Sequence, residues 1–143
     1  MKVYRLVNSK YDPIEIGANL TRTSDHSHQK YGEGMYFALS REDALHFAKS
    51  QHGHAYTHLL TCLIENANEN DFVDLRKKPN SMATSKFRTL PMKARAPRYC
   101  KQQKKKGLIW SSTPGKQAAR AEVCLYPEHI QNAVIIESAE KLG

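Results

Sequence analysis

The sequence predicts a single α+β domain of five to seven strands with a few short helices, and three observations predict it. First, a chain of 143 residues, 40% of them hydrophobic, is long enough to bury one core without disulfides or metals. Second, short runs rich in β-branched and aromatic residues recur along it, bounded by Gly, Pro, Asn or Asp. Third, one segment at 41–51 carries apolar residues at helical spacing behind a capping serine. No internal repeat and no linker-like stretch divides the chain.

The elements follow in order. Val3–Val7 reads as a strand, and 8–19 as turns around Pro13 with room for one helical turn. The polar stretch 21–34, with His26, His28, Gly32 and Gly34, reads as an exposed loop, and 34–39 as a second strand. Ser40 is placed to cap a helix from Arg41 to about Gln51, with Glu42 and Asp43 in its first turn and Ala44, Leu45, Phe47 and Ala48 on its buried face. Strands are expected at 56–64, 107–112, 121–126 and 133–137, with a polar turn at 65–71 before a short Phe72-Val73-Asp74-Leu75 stretch. Pro79, Pro91 and Pro97 interrupt 76–106, which reads as a long basic loop or lid with at most short helices.

Charge is informative by position. Of 22 basic residues, 14 lie between Leu75 and Ala121, an interval with no Asp or Glu. Such a block attracts polyanions. No run of 18 apolar residues exists, so no membrane span is expected, and the N-terminus shows no apolar leader, which suits a cytoplasmic protein. Cys62, Cys100 and Cys124 are too few and too dispersed for a disulfide framework. Neither they nor His52, His54 and His58 have metal-ligand spacing, so no metal is expected. Walker and Rossmann glycine patterns are also lacking, which speaks against hydride transfer.

Three features occur in a recognisable order. Arg5 lies in the first strand, in Val3-Tyr4-Arg5-Leu6. Tyr31-Gly32-Glu33-Gly34-Met35-Tyr36-Phe37-Ala38 runs directly into Ser40 and the helix. Glu122 opens a late strand, in Arg120-Ala121-Glu122-Val123. Together they resemble the ADP-ribosyltransferase superfamily, over most of the chain outside the basic segment. The middle motif resembles the diphtheria-toxin and polymerase branch, with its His-Tyr-Glu site. Arg5 instead fits the Arg-Ser-Glu site of the cholera-toxin branch, so the chain mixes the two. That branch's Ser-Thr-Ser is not clearly present, and Ser111-Ser112-Thr113 reads as loop.

The resemblance implies a single ADP-ribosyltransferase-like domain over 1–143, with a split mixed β-sheet, and NAD⁺ as substrate. It implies catalytic roles for Glu122, Tyr36 and Arg5, and NAD⁺ contacts from Arg5, Tyr4, Gly34, Tyr36, Phe37, Ser40 and His28. Tyr36 would stack on the nicotinamide, and Glu122 would stabilise oxocarbenium-like charge on the ribose. Arg5 would hold phosphates or orient the pocket. The implied activity is that of an effector or toxin-type mono-ADP-ribosyltransferase. Arginine-modifying relatives carry Glu two residues before the catalytic one, and asparagine-modifying relatives Gln. Arg120 stands there in this chain, which favours an anionic or nucleic-acid acceptor. Two other readings stay open on the sequence. One is a nucleic-acid-binding module using 76–106, where Phe87 and Tyr99 interleave the cations. The other is an NAD⁺ glycohydrolase or NAD⁺-dependent RNA 2′-phosphotransferase of the same fold.

Overall fold

Along β1 (Lys2–Val7), Val3, Arg5 and Val7 are buried while Tyr4 and Leu6 are half-buried, the two-residue period of a strand covered on both faces. The computed structural model describes residues 1–24, 29–50, 56–111 and 120–143. Its further strands are β2 (Met35–Ala38), β3 (His58–Ile64), β4 (Phe72–Asp74), β5 (Gly107–Ser111), β6 (Ala121–Leu125) and β7 (Val134–Lys141). Two helices, α1 (Arg41–Ser50) and α2 (Met92–Gln102), complete a small α+β domain. All seven strands join one mixed sheet in the order β4-β5-β6-β2-β1-β3-β7, with β4 and β5 parallel and the remaining neighbours antiparallel.

The middle of this sheet is its weakest seam. β1 meets β2 at one rung, Tyr4 opposite Ala38, whereas other neighbours share from three rungs (β4 with β5) to seven (β3 with β7). Beyond that rung Ser24 takes the place beside β2. Its N–H donates to Gly34 O (3.0 Å), and its hydroxyl accepts from the Tyr36 N–H (3.2 Å). Backbone groups that the divergence would strand are thereby satisfied. The sheet is thus two half-sheets, β4-β5-β6-β2 and β1-β3-β7, joined at one rung.

Strand register sorts side chains onto two faces. On the first, Val3, Val7, Met35, Phe37, Leu60, Cys62, Ile109, Val123 and Ile136 form a largely aliphatic core, covered by Leu20, Ile14 and Ile130. Residues 17–20 also pair with the β7 edge through an Asn19–Ile135 bridge, which blunts that edge. On the second face, Leu108, Trp110, Cys124 and Tyr126 pack with Tyr31 and with Ala96 and Cys100 of α2. α1 crosses β1, β2 and β3, where Ala44 is buried and Arg41 bridges to Glu140 of β7. Glu140 is level with Leu59 and Leu6, so α1 too lies on the second face.

Three sequence expectations change. The basic segment is not a lid along its whole length, because α2 occupies 92–102. Parallel β4 and β5 need a crossover connection, and this segment provides it. Pro97 sits inside the helix despite the hydrogen bond it removes, and burial of Ala96 and Cys100 against β5 offsets that cost. The loop before β2 is also less exposed than its polarity suggests, since Gln29, Tyr31, Gly32 and Gly34 are buried. β7 runs on to Lys141 with a register shift opposite Thr61/Cys62, so its outward residues lose the simple alternation that marks 133–137.

Candidate active site

Four segments distant in sequence meet in one cross-strand row. Tyr4 of β1 is opposite Ala38 of β2, Ala38 opposite Glu122 of β6, and Glu122 opposite Trp110 of β5. Directly opposed side chains share a face, with Cβ atoms about 5 Å apart. Tyr36, opposite Cys124, is the diagonal neighbour of Glu122 on the same face, about 7–8 Å away. The row lies at the rung that joins the half-sheets. Glu122 and Tyr36 are half-buried there, and Trp110 is buried.

The Tyr36 side chain ties the preceding loop to the sheet. Its hydroxyl donates to Gly32 O (2.7 Å) and accepts from the Tyr31 N–H (2.9 Å). Tyr126 OH, from the end of β6, donates to Tyr31 O (2.8 Å). The Tyr31 ring centre lies 4.5 Å from Trp110, and Tyr36 meets Trp110 edge-on at 5.8 Å. Burial, with the Cys124 thiol beside it, raises the Tyr36 hydroxyl well above the ordinary range, so it stays neutral. Burial likewise pushes the Cys124 thiol up to about 12.

Both motif glycines have packing reasons. Gly32 has φ +100, and a Cβ there would lie 2.7 Å from Lys93 O and 2.8 Å from Pro97 of α2. A Cβ on Gly34 would come within 2.7 Å of both Cys124 Sγ and Leu125 O. The loop is pressed between α2 and β6, and small residues allow that approach.

The structure brings together Tyr4, Tyr36 and Glu122 among the residues that the sequence singles out. Arg5 and Phe37 fall on the other face, where the Arg5 guanidinium sits 5.9 Å above the Phe37 ring and is 7% exposed. Cys62 shares this environment: burial pushes its thiol up to about 12, with Arg5 acting in the opposite sense. Ser40 accepts from the Asp43 N–H (3.1 Å) as the cap of α1, and Asp43 in turn accepts from the Ala121 N–H (3.2 Å). α1 is thereby anchored to the residue before Glu122. His26 and His28 lie outside the described residues, as do Ser112 and Thr113. Arg5, Arg120 and Glu122 each have further partners. Among the described residues no group of three His, Cys, Asp or Glu is placed to hold a metal ion.

Trp110 is the site residue that the sequence reading missed. Its signal was present, a lone tryptophan in a strand two residues after Leu108, but nothing local said that Glu122 would face it. The arrangement is a carboxylate beside aromatic walls. It suits a flat cationic ligand, or a transition state that gains positive charge. No family model and no curated protein matches the chain.

Proposed function

We propose that the chain is an NAD⁺-dependent mono-ADP-ribosyltransferase whose reactive centre is the Tyr36 and Glu122 side of the central rung. The observation that carries this reading is the row Tyr4–Ala38–Glu122–Trp110, which gathers the first strand, the Tyr-Phe-Ala motif and the late-strand glutamate onto one face. Their order along the chain resembles the superfamily, and their convergence supports a shared site. Aromatic walls and a carboxylate suit a ligand with a flat, positively charged nicotinamide ring.

When bound, NAD⁺ supplies a ribosyl C1′ that gains positive charge as nicotinamide departs with the electron pair of the C1′–N bond. Glu122 stabilises that charge, and its half-buried setting beside Trp110 makes the interaction stronger than it would be in water. Tyr36 offers its ring face while its hydroxyl is held by the loop backbone, so the ring is fixed before the ligand arrives. Tyr4 adds a wall from the other half-sheet. Arg5, behind the rung, acts as a positioning residue that holds β1 against Phe37 rather than touching the reacting atoms. The acceptor is a macromolecule with an anionic surface, which donates a nucleophile to C1′ and gives up a proton. Three buried thiols suit the reducing cytoplasm of the producing cell or of a target cell.

Nicotinamide release from NAD⁺ tests the reading. Glu122→Gln is expected to slow it about 100-fold or more, and Tyr36→Ala to raise KM and lower kcat together. Turnover that both substitutions leave unchanged sinks the assignment.

A further inference from the structure

We propose that the outer surface of α2, together with the 81–90 turn, docks a single nucleic-acid strand and presents it to the Tyr36–Glu122 face; the delivery step rests on the transferase reading above. The surface is one unit. Arg95 Nη2 donates to Arg88 O (2.7 Å) and Leu90 O (2.9 Å), so the turn is fastened to the first turns of the helix. Burial of Ala96 and Cys100 fixes which side of α2 faces the sheet. Arg98 and Lys101 stand exposed away from it, Lys93 is exposed in the first turn, and Lys104 is exposed just past the helix end. Lys86 and Arg88 continue the exposed charge onto the turn.

These cations have no carboxylates of their own segment, because no Asp or Glu occurs between Leu75 and Ala121. Of the acidic groups just before it, Glu69 and Asp74 are already engaged by Arg76 at 2.6 and 2.8 Å, and Asp71 accepts from the Asn68 N–H (2.9 Å). That pairing holds the Asp74 carboxyl below its usual range. The charge on α2 is therefore available to an outside polyanion.

Two observations favour a nucleic-acid strand over an acidic protein or a lipid surface. Exposed large hydrophobic residues, the usual anchors of a protein interface or of membrane insertion, are Tyr11 and Ile16 among the described residues, and neither lies on this surface. Half-buried Phe87, with Lys86 Nζ 5.1 Å from its ring centre, and Tyr99, packed partly against the second-face core, stand among the cations instead, and such rings can stack on unpaired bases. The surface also adjoins the site. Gly32 packs against Lys93 O and Pro97 of α2, and the next residue back, Tyr31, touches Trp110. Transfer to a docked strand joins C1′ to a nitrogen or oxygen of that strand, releases nicotinamide with the bonding electron pair, and passes the displaced proton to Glu122 or solvent.

Fluorescence anisotropy with short labelled single strands of RNA and DNA, and with a duplex of the same sequence, tests the docking surface across a salt series. Binding is expected to weaken with salt at a log–log slope of about −0.7 per phosphate contact. The combined Lys93→Glu, Arg98→Glu and Lys101→Glu variant should bind at least about 10-fold more weakly and flatten that slope by about two. A control variant, Lys10→Glu with Lys141→Glu, should bind as the unaltered protein does. The proposal is overturned if no strand binds at low salt, if the α2 variant binds normally, or if polyglutamate of equal charge competes as well as the strand does. A clear preference for duplex overturns it too. Incubation with NAD⁺ labelled in its adenylate phosphate tests delivery. Label on the strand supports it, whereas nicotinamide release with an unlabelled strand defeats delivery and leaves the transferase reading standing. Absence of nicotinamide release defeats that reading, and the anisotropy series still decides the docking surface by itself.

Discussion

The two faces of one sheet are built to different rules. On the first, aliphatic side chains from β1, β2, β3, β5, β6 and β7 close around Leu60, Ile136 and Val123, each fully buried, and Arg5 is folded in over Phe37. On the second, aromatic rings stand among aliphatic and thiol side chains, and tyrosine hydroxyls are spent on loop backbone: Tyr36 on Gly32 and Tyr31, Tyr126 on Tyr31. Glu122 stays half-buried among them. The first face stabilises by removing apolar area from water. The second holds a polar group near rings while keeping it reachable. A single backbone supports both because neighbouring residues of a strand point to opposite sides, so Arg5 and Tyr4, or Phe37 and Tyr36, serve different ends one residue apart.

The contrast can be broken most forcefully at Leu60. Leu60→Ala on the aliphatic face should cost about 2–5 kcal/mol in urea unfolding, since a fully buried leucine leaves a cavity. A near-neutral result would mean that this face is not the stabilising core. A smaller effect is expected on the aromatic face. Tyr36→Phe keeps the ring and should cost about 1–2 kcal/mol, the loss of one hydroxyl that serves both a donor and an acceptor in the loop. If it instead costs as much as Leu60→Ala, the two faces share one role.

The smallest difference is expected at the thiols. Cys62 on the first face and Cys124 on the second are both pushed up to about 12 by burial, and so is Cys100. Ellman's reagent at pH 8 should find none of the three in the folded protein and all three after unfolding. Rapid reaction of Cys124 alone would show the second face to be open to solvent down to β6. The pH dependence follows in sign. An unfolded thiol ionises near 8.5. The unfolded state therefore holds fewer protons than the folded one between there and about 12. Stability should fall as pH rises through that window and be unaffected by the thiols below it.

Much of the fold was legible locally. The strand at 121–126 announced itself by alternation, those at 3–7 and 107–112 by short β-branched, aromatic and apolar runs, and Ser40 with its acidic followers announced α1, because caps and short strand patterns are decided by near neighbours. α2 was not legible. Its prolines argue against helix locally, and the reason it forms is the crossover that a parallel β4–β5 pair requires, with Ala96 and Cys100 buried on β5.

The sequence by itself determined which chemical groups the candidate site can draw on: Tyr4, Tyr36 and Glu122, the glycines of the motif loop, and a basic segment without carboxylates. Tertiary structure alone decided which of them share a face. Arg5 and Tyr4 are equally plausible as residues of a first strand, but register puts Tyr4 in the row with Glu122 and turns Arg5 away. A shift of one residue in that single rung would exchange them, and the rung is fixed by long-range pairing with β2 and β3 that no local pattern encodes.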